Sequence, residues 1–200
     1  MLVLITAVMG SGCSTLKQLQ NTVSDLSKLQ FKLEGVEPGT LAGVDLAKTA
    51  HPEALSALDA VKLAEAYSSG EWPLVFDLKV AARNPNPGDE EGSSTAILQA
   101  LDWTLRIDDR ETITGGIPEP LRIPGDGQVT VFPIRMSIDL FAYFSDRGFD
   151  DVLNLALAIA GKEGTASRVS LTAVPTVSIG GVPVRYPGAV TILDGEWSNP

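Results

Sequence analysis

The sequence predicts a mainly β protein, an antiparallel β-sandwich of about seven strands with helical insertions. Three observations lead to this prediction. Apolar and polar residues alternate over several segments, most clearly 74–81 and 97–108. Clusters of Gly, Pro and Asn separate these segments at short intervals, as in chains of antiparallel strands. Two stretches, 40–72 and 141–165, contain apolar residues at helical spacing instead.

Length and composition favour one principal domain without bound cofactors. Two hundred residues with 44% hydrophobic content suffice for one core. A net charge of −10 argues against nucleic acid as a partner, because phosphate binding needs basic patches. One Cys and one His allow neither an internal disulfide nor a zinc cluster, and leave little scope for a Cys/His catalytic pair. We therefore predict no cofactor and no metal.

The N-terminus predicts a lipid anchor. Residues 2–9 form an apolar run that leads through small residues to Cys13, and the run is far shorter than the roughly 20 residues of a membrane-spanning helix. The pattern resembles a bacterial lipoprotein signal peptide, although Gly10 stands where that family usually has Leu. The resemblance implies a signal peptide at 1–12, lipidation of Cys13 and, from Ser14, sorting to the outer membrane. The alternative is an apolar strand with a buried free Cys.

The following segment, 13–30, predicts a tether helix. Leu16, Leu19, Val23 and Leu26 recur at helical spacing on a polar background. Because the stripe covers barely two heptads, a helix laid on the domain is favoured over an oligomerisation zipper, which stays open.

The main domain is predicted to begin with a strand at 31–37 that ends at Pro38-Gly39. A helix follows at 52–67, with Pro52 at its first helical position. The stop after its last turn is Ser68-Ser69-Gly70. We interpret the sole imidazole, His51, as a neighbour of the helix start rather than a base. The apolar face of this helix is predicted to contain Ala54, Leu55, Leu58, Val61 and Leu63.

The segment 74–87 predicts a strand and a rigid turn. Its apolar row is Leu74, Phe76, Leu78 and Val80. The strand must stop at Asn84-Pro85-Asn86-Pro87, because proline donates no hydrogen bond and Asn side chains bond to their own backbone. The acidic run at 89–91 is interpreted as a solvated loop rather than a calcium site, since it lacks the regular ligand alternation.

A second clear strand is predicted at 96–108. Its apolar face is Ile97, Leu101, Trp103, Leu105 and Ile107. The chain turns at 108–110 and returns as a short strand that ends at Gly115-Gly116. We interpret the acids of this turn as turn formers rather than a catalytic dyad.

The remaining strands lie nearer the C-terminus. A strand at 128–140 contains Pro133 and must therefore lie at a sheet edge or carry a bulge. Two short helices follow, joined at Arg147-Gly148. Strands at 168–179 and 182–193 flank Gly180-Gly181, which suits a tight hairpin. The tail, 196–200, is predicted to be an exposed end.

These strands and turns suggest a sandwich of the immunoglobulin or fibronectin type III sort. Several segments are more specific: FKLEGVEP, the Asn84–Pro87 turn, LQALDWTLRID, TITGGIPEP with its Gly115-Gly116, IPGDGQ, VTVFPIRMSI and VRYPGAVTI. Together they resemble the group-2 late embryogenesis abundant (LEA) family and its water-stress and hypersensitive-response (WHy) domain. The resemblance covers 31–193 apart from the two helical insertions. It implies a desiccation- or stress-associated protective role and no catalytic residues, so the Asn-Pro turn and both glycines are structural motif residues.

Three functions remain open. The leading one is a non-enzymatic, lipid-anchored envelope protein that protects envelope components or binds a partner there. The second is an adaptor of an envelope complex that docks through its helical insertions; exposed apolar stripes on 52–67 or 150–160 would favour it. The alternative for these helices is that they close the open ends of the sandwich, because a helix with one apolar face most often covers its own core. The third is a sandwich that holds a lipid or another apolar ligand. A hydrolase is disfavoured, because no Gly-x-Ser-x-Gly elbow occurs.

Overall fold

Two antiparallel sheets make up the fold, which confirms the predicted sandwich. The computed structural model describes residues 28–49, 54–86, 95–160, 169–179 and 181–199. The strands are β1 (Gln30–Leu41), β2 (Val44–Asp45), β3 (Pro73–Arg83), β4 (Ala96–Ile107), β5 (Arg110–Gly115), β6 (Leu121–Ile123), β7 (Val129–Asp139), β8 (Val169–Ile179), β9 (Val182–Arg185) and β10 (Val190–Ile192). The helices are α1 (Ala57–Ser69), α2 (Leu140–Phe144) and α3 (Phe149–Ile159), with a 3-10 turn at Leu46–Lys48. The described residues form ten strands instead of the expected seven, because the short strands β2 and β6 were not predicted and the last predicted strand is divided into β9 and β10.

The strand order is that of a fibronectin type III-like sandwich. One sheet runs β2-β1-β3-β7 and the other β10-β8-β4-β5, with β6 beside β4 and β9 beside β8. All of these pairings are antiparallel. The chain changes sheet three times, between β3 and β4, between β6 and β7, and between β7 and β8. One hydrophobic cluster fills the space between the sheets and continues into the helices.

The two ends of the sandwich differ. At one end, Pro73 of β3 pairs with Asp139 of β7, so α1 leads into this end and α2 leaves from it. At the other end, Gln30 of β1 pairs with Arg83, which itself pairs with Val129. We call these the capped end and the open end. Residues 1–27, outside the described part of the chain, join the domain at the open end.

The first strand is longer than predicted, because Pro38-Gly39 does not end it. Pro38 lies opposite Phe76, and the register with β3 shifts between Pro38 and Thr40. A Cβ atom on Gly39 would lie only 3.0 Å from the carbonyl carbon of Val75. The missing side chain therefore lets the two backbones approach, and the strand continues through a bulge.

A bulge also corrects the predicted face of β4. The register with β8 shifts between Leu98 and Ala100. Ile97 is consequently only half-buried, whereas Leu98 is fully buried on the core side together with Leu101. One extra residue reverses the period-2 alternation on one side of a bulge, so the predicted placement of Ile97 with the core face was wrong.

Helix α1 begins later than predicted, at Ala57 instead of 52. Ser56 caps it: its Oγ accepts a hydrogen bond from the Asp59 amide at 3.1 Å. The helix ends at Gly70, whose φ of 78° is left-handed, and this confirms the predicted stop. His51 and Pro52 lie outside the described residues.

The later elements follow the prediction with one exception. Strand β7 is the edge of its sheet, as Pro133 required, and α2 and α3 are separated at Arg147-Gly148. The last predicted strand is split, because β9 pairs with one part of β8 and β10 with another. Between them the chain leaves the ladder at Tyr186.

The residues after β10 are bonded to β1, although an exposed end was expected. Ser198 exchanges both backbone hydrogen bonds with Phe31, at 2.9 and 2.8 Å. The guanidinium of Arg83 lies over the half-buried Trp197 ring, 4.2 Å from the centroid of that ring, and the Lys32 ammonium lies near the same ring. The C-terminal residues thus add a partner to β1 at the open end.

Candidate functional site

The helices form one cap over one end of the sandwich. The Tyr67 ring of α1 meets three aromatic rings at centroid distances of 5.4 Å, all edge-on: Trp72, Phe141 of α2 and Phe149 of α3. The Tyr67 hydroxyl also donates to the Arg147 carbonyl at 2.9 Å. Edge-to-face aromatic packing is a favourable geometry. The two insertions, about 80 residues apart in sequence, therefore meet as a single unit, which we call the helical cap.

Trp72 joins the cap to the first sheet. The side chain is fully buried, and its indole N–H donates to the Leu63 carbonyl at 3.1 Å. Its backbone N–H donates to Asp139 Oδ1 at 2.8 Å. The same carboxylate oxygen accepts from the Phe141 amide at 3.1 Å and so caps α2. Trp72 thus connects α1, the start of β3 and the end of β7. Sequence reasoning did not single it out.

Ion pairs fasten the cap to the β4–β5 turn. Arg147 contacts Asp108 at 2.9 Å, and Arg110 contacts Asp146 at 3.3 Å. Both guanidinium groups lie over the Phe144 ring, at 4.8 and 4.9 Å. The hydrogen bond from Arg110 lowers the pKa of Asp146 below its ordinary 3.8. The Arg110–Asp146 contact therefore stabilises the fold at pH values above 3.8, and this stabilisation is lost as the pH falls through the lowered pKa of Asp146.

The outer face of α1 carries exposed aliphatic side chains. Leu58 is 65% exposed and Val61 53%, whereas Leu63 is fully buried. The prediction that Leu63 shares one apolar face with Leu58 and Val61 was therefore wrong. At about 100° per residue, Leu63 lies roughly 140° around the helix from Leu58 and 160° from Val61, so the three cannot face the same side. Leu58 and Val61 are three residues apart and form a common outward patch, with exposed Ala57, Ala60 and Ala64 beside them.

The predicted stripe on α3 behaves differently. Its apolar residues are buried: Val152, Leu153, Leu155, Ala156, Leu157 and Ile159. This helix therefore closes the core, and it offers no apolar face. Of the two insertions, α1 is the one that presents apolar side chains to solvent.

The Asn-Pro turn lies at the open end. Asn84 and Asn86 are buried, and Asn84 Oδ1 accepts hydrogen bonds from the backbone N–H of Asn86 at 3.2 Å and from its side-chain amide at 2.8 Å. The Asn84 carbonyl accepts from Gly127 at 3.0 Å. Pro85 follows Asn84 and blocks continuation of the strand. Pro87 and Cys13 lie outside the described residues.

The two motif glycines lie at the edge of the other sheet. Gly115 is directly paired with Trp103, whose ring occupies the place of its missing side chain. Gly116 follows beside Asp102. The Trp103 indole nitrogen is buried without a hydrogen-bond partner in the described part of the chain. The Asn-Pro turn follows β3 of the first sheet, whereas Gly115 ends β5 of the second sheet and Gly116 comes directly after it.

The described residues contain no group of three or more His, Cys, Asp or Glu side chains that would hold a metal ion. No helix among them is long and apolar enough to cross a bilayer.

Burial raises the pKa of the Tyr186 phenol.

Comparisons with known proteins leave the family open. No protein-family model and no curated protein matches the chain. Among solved structures, a protein from Archaeoglobus fulgidus is 10% identical, with a TM-score of 0.35, over 63% of this chain and 86% of that one. The structural-genomics target SoR45 is 8% identical, with a TM-score of 0.40, over 86% and 85%. At2g46140.1, described as a late embryogenesis abundant (LEA) protein, is 12% identical, with a TM-score of 0.33, over 93% and 76%.

Proposed function

We propose that this protein is a non-enzymatic, lipid-anchored envelope protein with a LEA2/WHy-like sandwich that binds an envelope partner through α1. The observation that carries the proposal is the outward patch of Leu58 and Val61, on a helix whose opposite face packs through Leu63 and Tyr67. Contiguous exposed apolar surface marks partner sites more often than singly scattered apolar side chains do.

The direction of the chain supports the same proposal. Residues 1–27 join β1 at the open end, and α1 lies at the capped end. Strand β1 has 12 residues, which corresponds to about 40 Å at 3.3 Å per residue. An acyl chain on Cys13 would tether the open end to the membrane, with sorting to the outer membrane, and α1 would then face away from the lipid toward other envelope proteins.

The protective role is the part of the proposal that comes from the sequence motifs. Stress or desiccation protection is what the resemblance to the LEA2/WHy family implies, and the segments that carry it belong to β1, β3, β4, β5, β7 and the last strands. Binding through α1 is the form of action that the surface supports. The two grooves that described residues line are open and partly polar, so neither of them is an interior site for an apolar ligand.

Replacing Cys13 with alanine tests the anchor. We expect wild-type protein in the membrane fraction with an intact mass that includes acyl groups, and we expect the Cys13→Ala chain without them in the soluble fraction. The physical reason is that membrane attachment by acyl chains is lost with the only thiol that can carry them. A soluble wild-type chain of unmodified mass would rule the anchor out.

Photo-cross-linking in cells tests the docking surface. A photoreactive residue at Leu58 or Val61 should capture one defined protein, because these side chains lie at the proposed contact. The matched control is Val131, which is 48% exposed on β7 and far from α1. The Leu58→Lys/Val61→Lys variant should lose the partner in co-purification while its melting temperature stays unchanged. Equal capture from Val131, or retention of the partner by that variant, would contradict docking through α1.

A further inference from the structure

Four threonines form a straight row across the outer face of the second sheet. Thr104 of β4 pairs with Thr114 of β5 on one side and with Thr172 of β8 on the other, and Thr172 pairs with Thr191 of β10. Residues that are direct cross-strand partners point to the same face. Three steps of about 4.8 Å between strands give the row a length of about 14 Å. All four side chains are half-buried or exposed.

A groove of about 400 Å³ lies over three members of the row. Thr104, Thr114 and Thr172 line it, together with Asp102 and Val174. At the β5 edge the groove is bordered by Gly115 and by Trp103, whose ring occupies the place of the missing Gly115 side chain. Of the two motif glycines, Gly115 thus lines this groove.

A charged pair lies beside the threonines. Arg185 of β9 donates a 2.6 Å hydrogen bond to Asp102, and both side chains are 57% exposed. The hydroxyl groups of Thr104, Thr114 and Thr172 make no side-chain hydrogen bonds within the described part of the chain. Each hydroxyl can donate one hydrogen bond and accept two. The groove thus presents a line of available hydroxyls next to a carboxylate and a guanidinium.

This chemistry selects among ligands. An apolar ligand would cover the threonine hydroxyls and leave them without hydrogen-bond partners, which is costly. An anion would approach the Asp102 carboxylate in a chain of net charge −10. A neutral ligand with many hydroxyls satisfies the row, and adjacent hydroxyls can bond to a carboxylate and a guanidinium together.

The row also has a purely structural explanation. Threonine suits exposed strand positions, and cross-strand threonine pairs stabilise sheets. That explanation accounts for the register, and the Trp103 ring accounts for Gly115, but neither accounts for a groove over the hydroxyls. We infer that this groove binds a neutral carbohydrate, with a short stretch of glycan lying across β5, β4 and β8. The inference is independent of the lipid anchor and of docking through α1.

The experiment is a titration of the ¹⁵N-labelled full chain with maltohexaose, cellohexaose and chitohexaose at millimolar concentration, followed by amide chemical shifts. At least one hexaose should give saturable shifts at Thr104, Thr114 and Thr172. The Thr104→Val/Thr172→Val variant keeps β-branched side chains of similar shape and removes two hydroxyls, so it should bind about tenfold more weakly. Thr176→Val, on the same face of β8 but outside the groove, should bind like wild type.

The outcomes are decisive. Melting curves first establish that each variant is folded. If the double variant is unstable, Asp102→Asn takes its place: it removes the carboxylate from the groove and is also expected to weaken binding. Absence of shifts with all three sugars, shifts confined to other surfaces, or undiminished binding by the folded groove variants would overturn the inference.

Discussion

Replacing Trp72 with alanine is expected to lower the free energy of unfolding by about 3–5 kcal/mol, the range for truncating a large buried aromatic side chain. The indole is fully buried, packs against Tyr67 and Phe149 at centroid distances of 5.4 Å, and donates to the Leu63 carbonyl. Truncation leaves a cavity where α1, α3 and β3 meet. Urea denaturation followed by circular dichroism measures the change in the midpoint and hence in the free energy.

The Trp72→Phe variant separates the ring from its hydrogen bond. Phenylalanine keeps most of the packing but leaves the Leu63 carbonyl without the indole donor, so a loss of about 1–3 kcal/mol is expected. Leu58→Ala is the surface control: that side chain is 65% exposed, and its truncation should change stability by less than about 0.5 kcal/mol. A Trp72→Ala loss no larger than that of Leu58→Ala would show that the cap does not depend on this residue.

Replacing Gly115 with alanine is expected to destabilise the protein by about 1–3 kcal/mol, the usual range for overpacking. An added Cβ atom would overlap the Trp103 ring, with Cη2 only 2.8 Å and Cε2 only 3.0 Å away. The ring is 7% exposed and lies within the core, so it has little space into which to move. The midpoint of urea unfolding is again the measurement.

The neighbouring glycine provides the matched control. A Cβ on Gly116 would meet its nearest atom, the Leu101 carbonyl oxygen, at an ordinary 3.6 Å, so Gly116→Ala should cost less than about 0.5 kcal/mol. The smaller ring of Trp103→Phe should relieve the overlap, and Gly115→Ala should then cost less in that background than in wild type. Equal losses for the two glycines would contradict the steric explanation of the motif.

These predictions assign different physical roles to residues that sequence comparison treats alike. Gly115 is required by the Trp103 ring, whereas a side chain at Gly116 would meet only ordinary contacts. Asn84 and Asn86 are required by a buried hydrogen-bonded turn. Gly115, Asn84 and Asn86 therefore preserve the sandwich, and the two proposed binding surfaces lie on α1 and on the outer face of β4 and β8.

Periodicity within the sequence was sufficient to predict the six longer strands and the helices of the two insertions. The alternation in β3 and β7 depends only on which side of a strand each residue occupies, and the Asn-Pro turn acts on its own backbone. Pro133 indicated an edge strand for the same local reason, since it lacks an N–H. The sandwich fold class followed from these elements.

Tertiary structure decided the features that depend on a distant partner. The bulge that turns Ile97 away from the core face arises from pairing with β8, about 75 residues later in the chain. The exposure of Leu58 and Val61 follows from which side of α1 the rest of the cap covers, and the bonding of Ser198 to Phe31 follows from where β1 lies. The threonine row exists only through the register of four strands. Register and packing are set by contacts across the whole chain, and local periodicity carries no information about them.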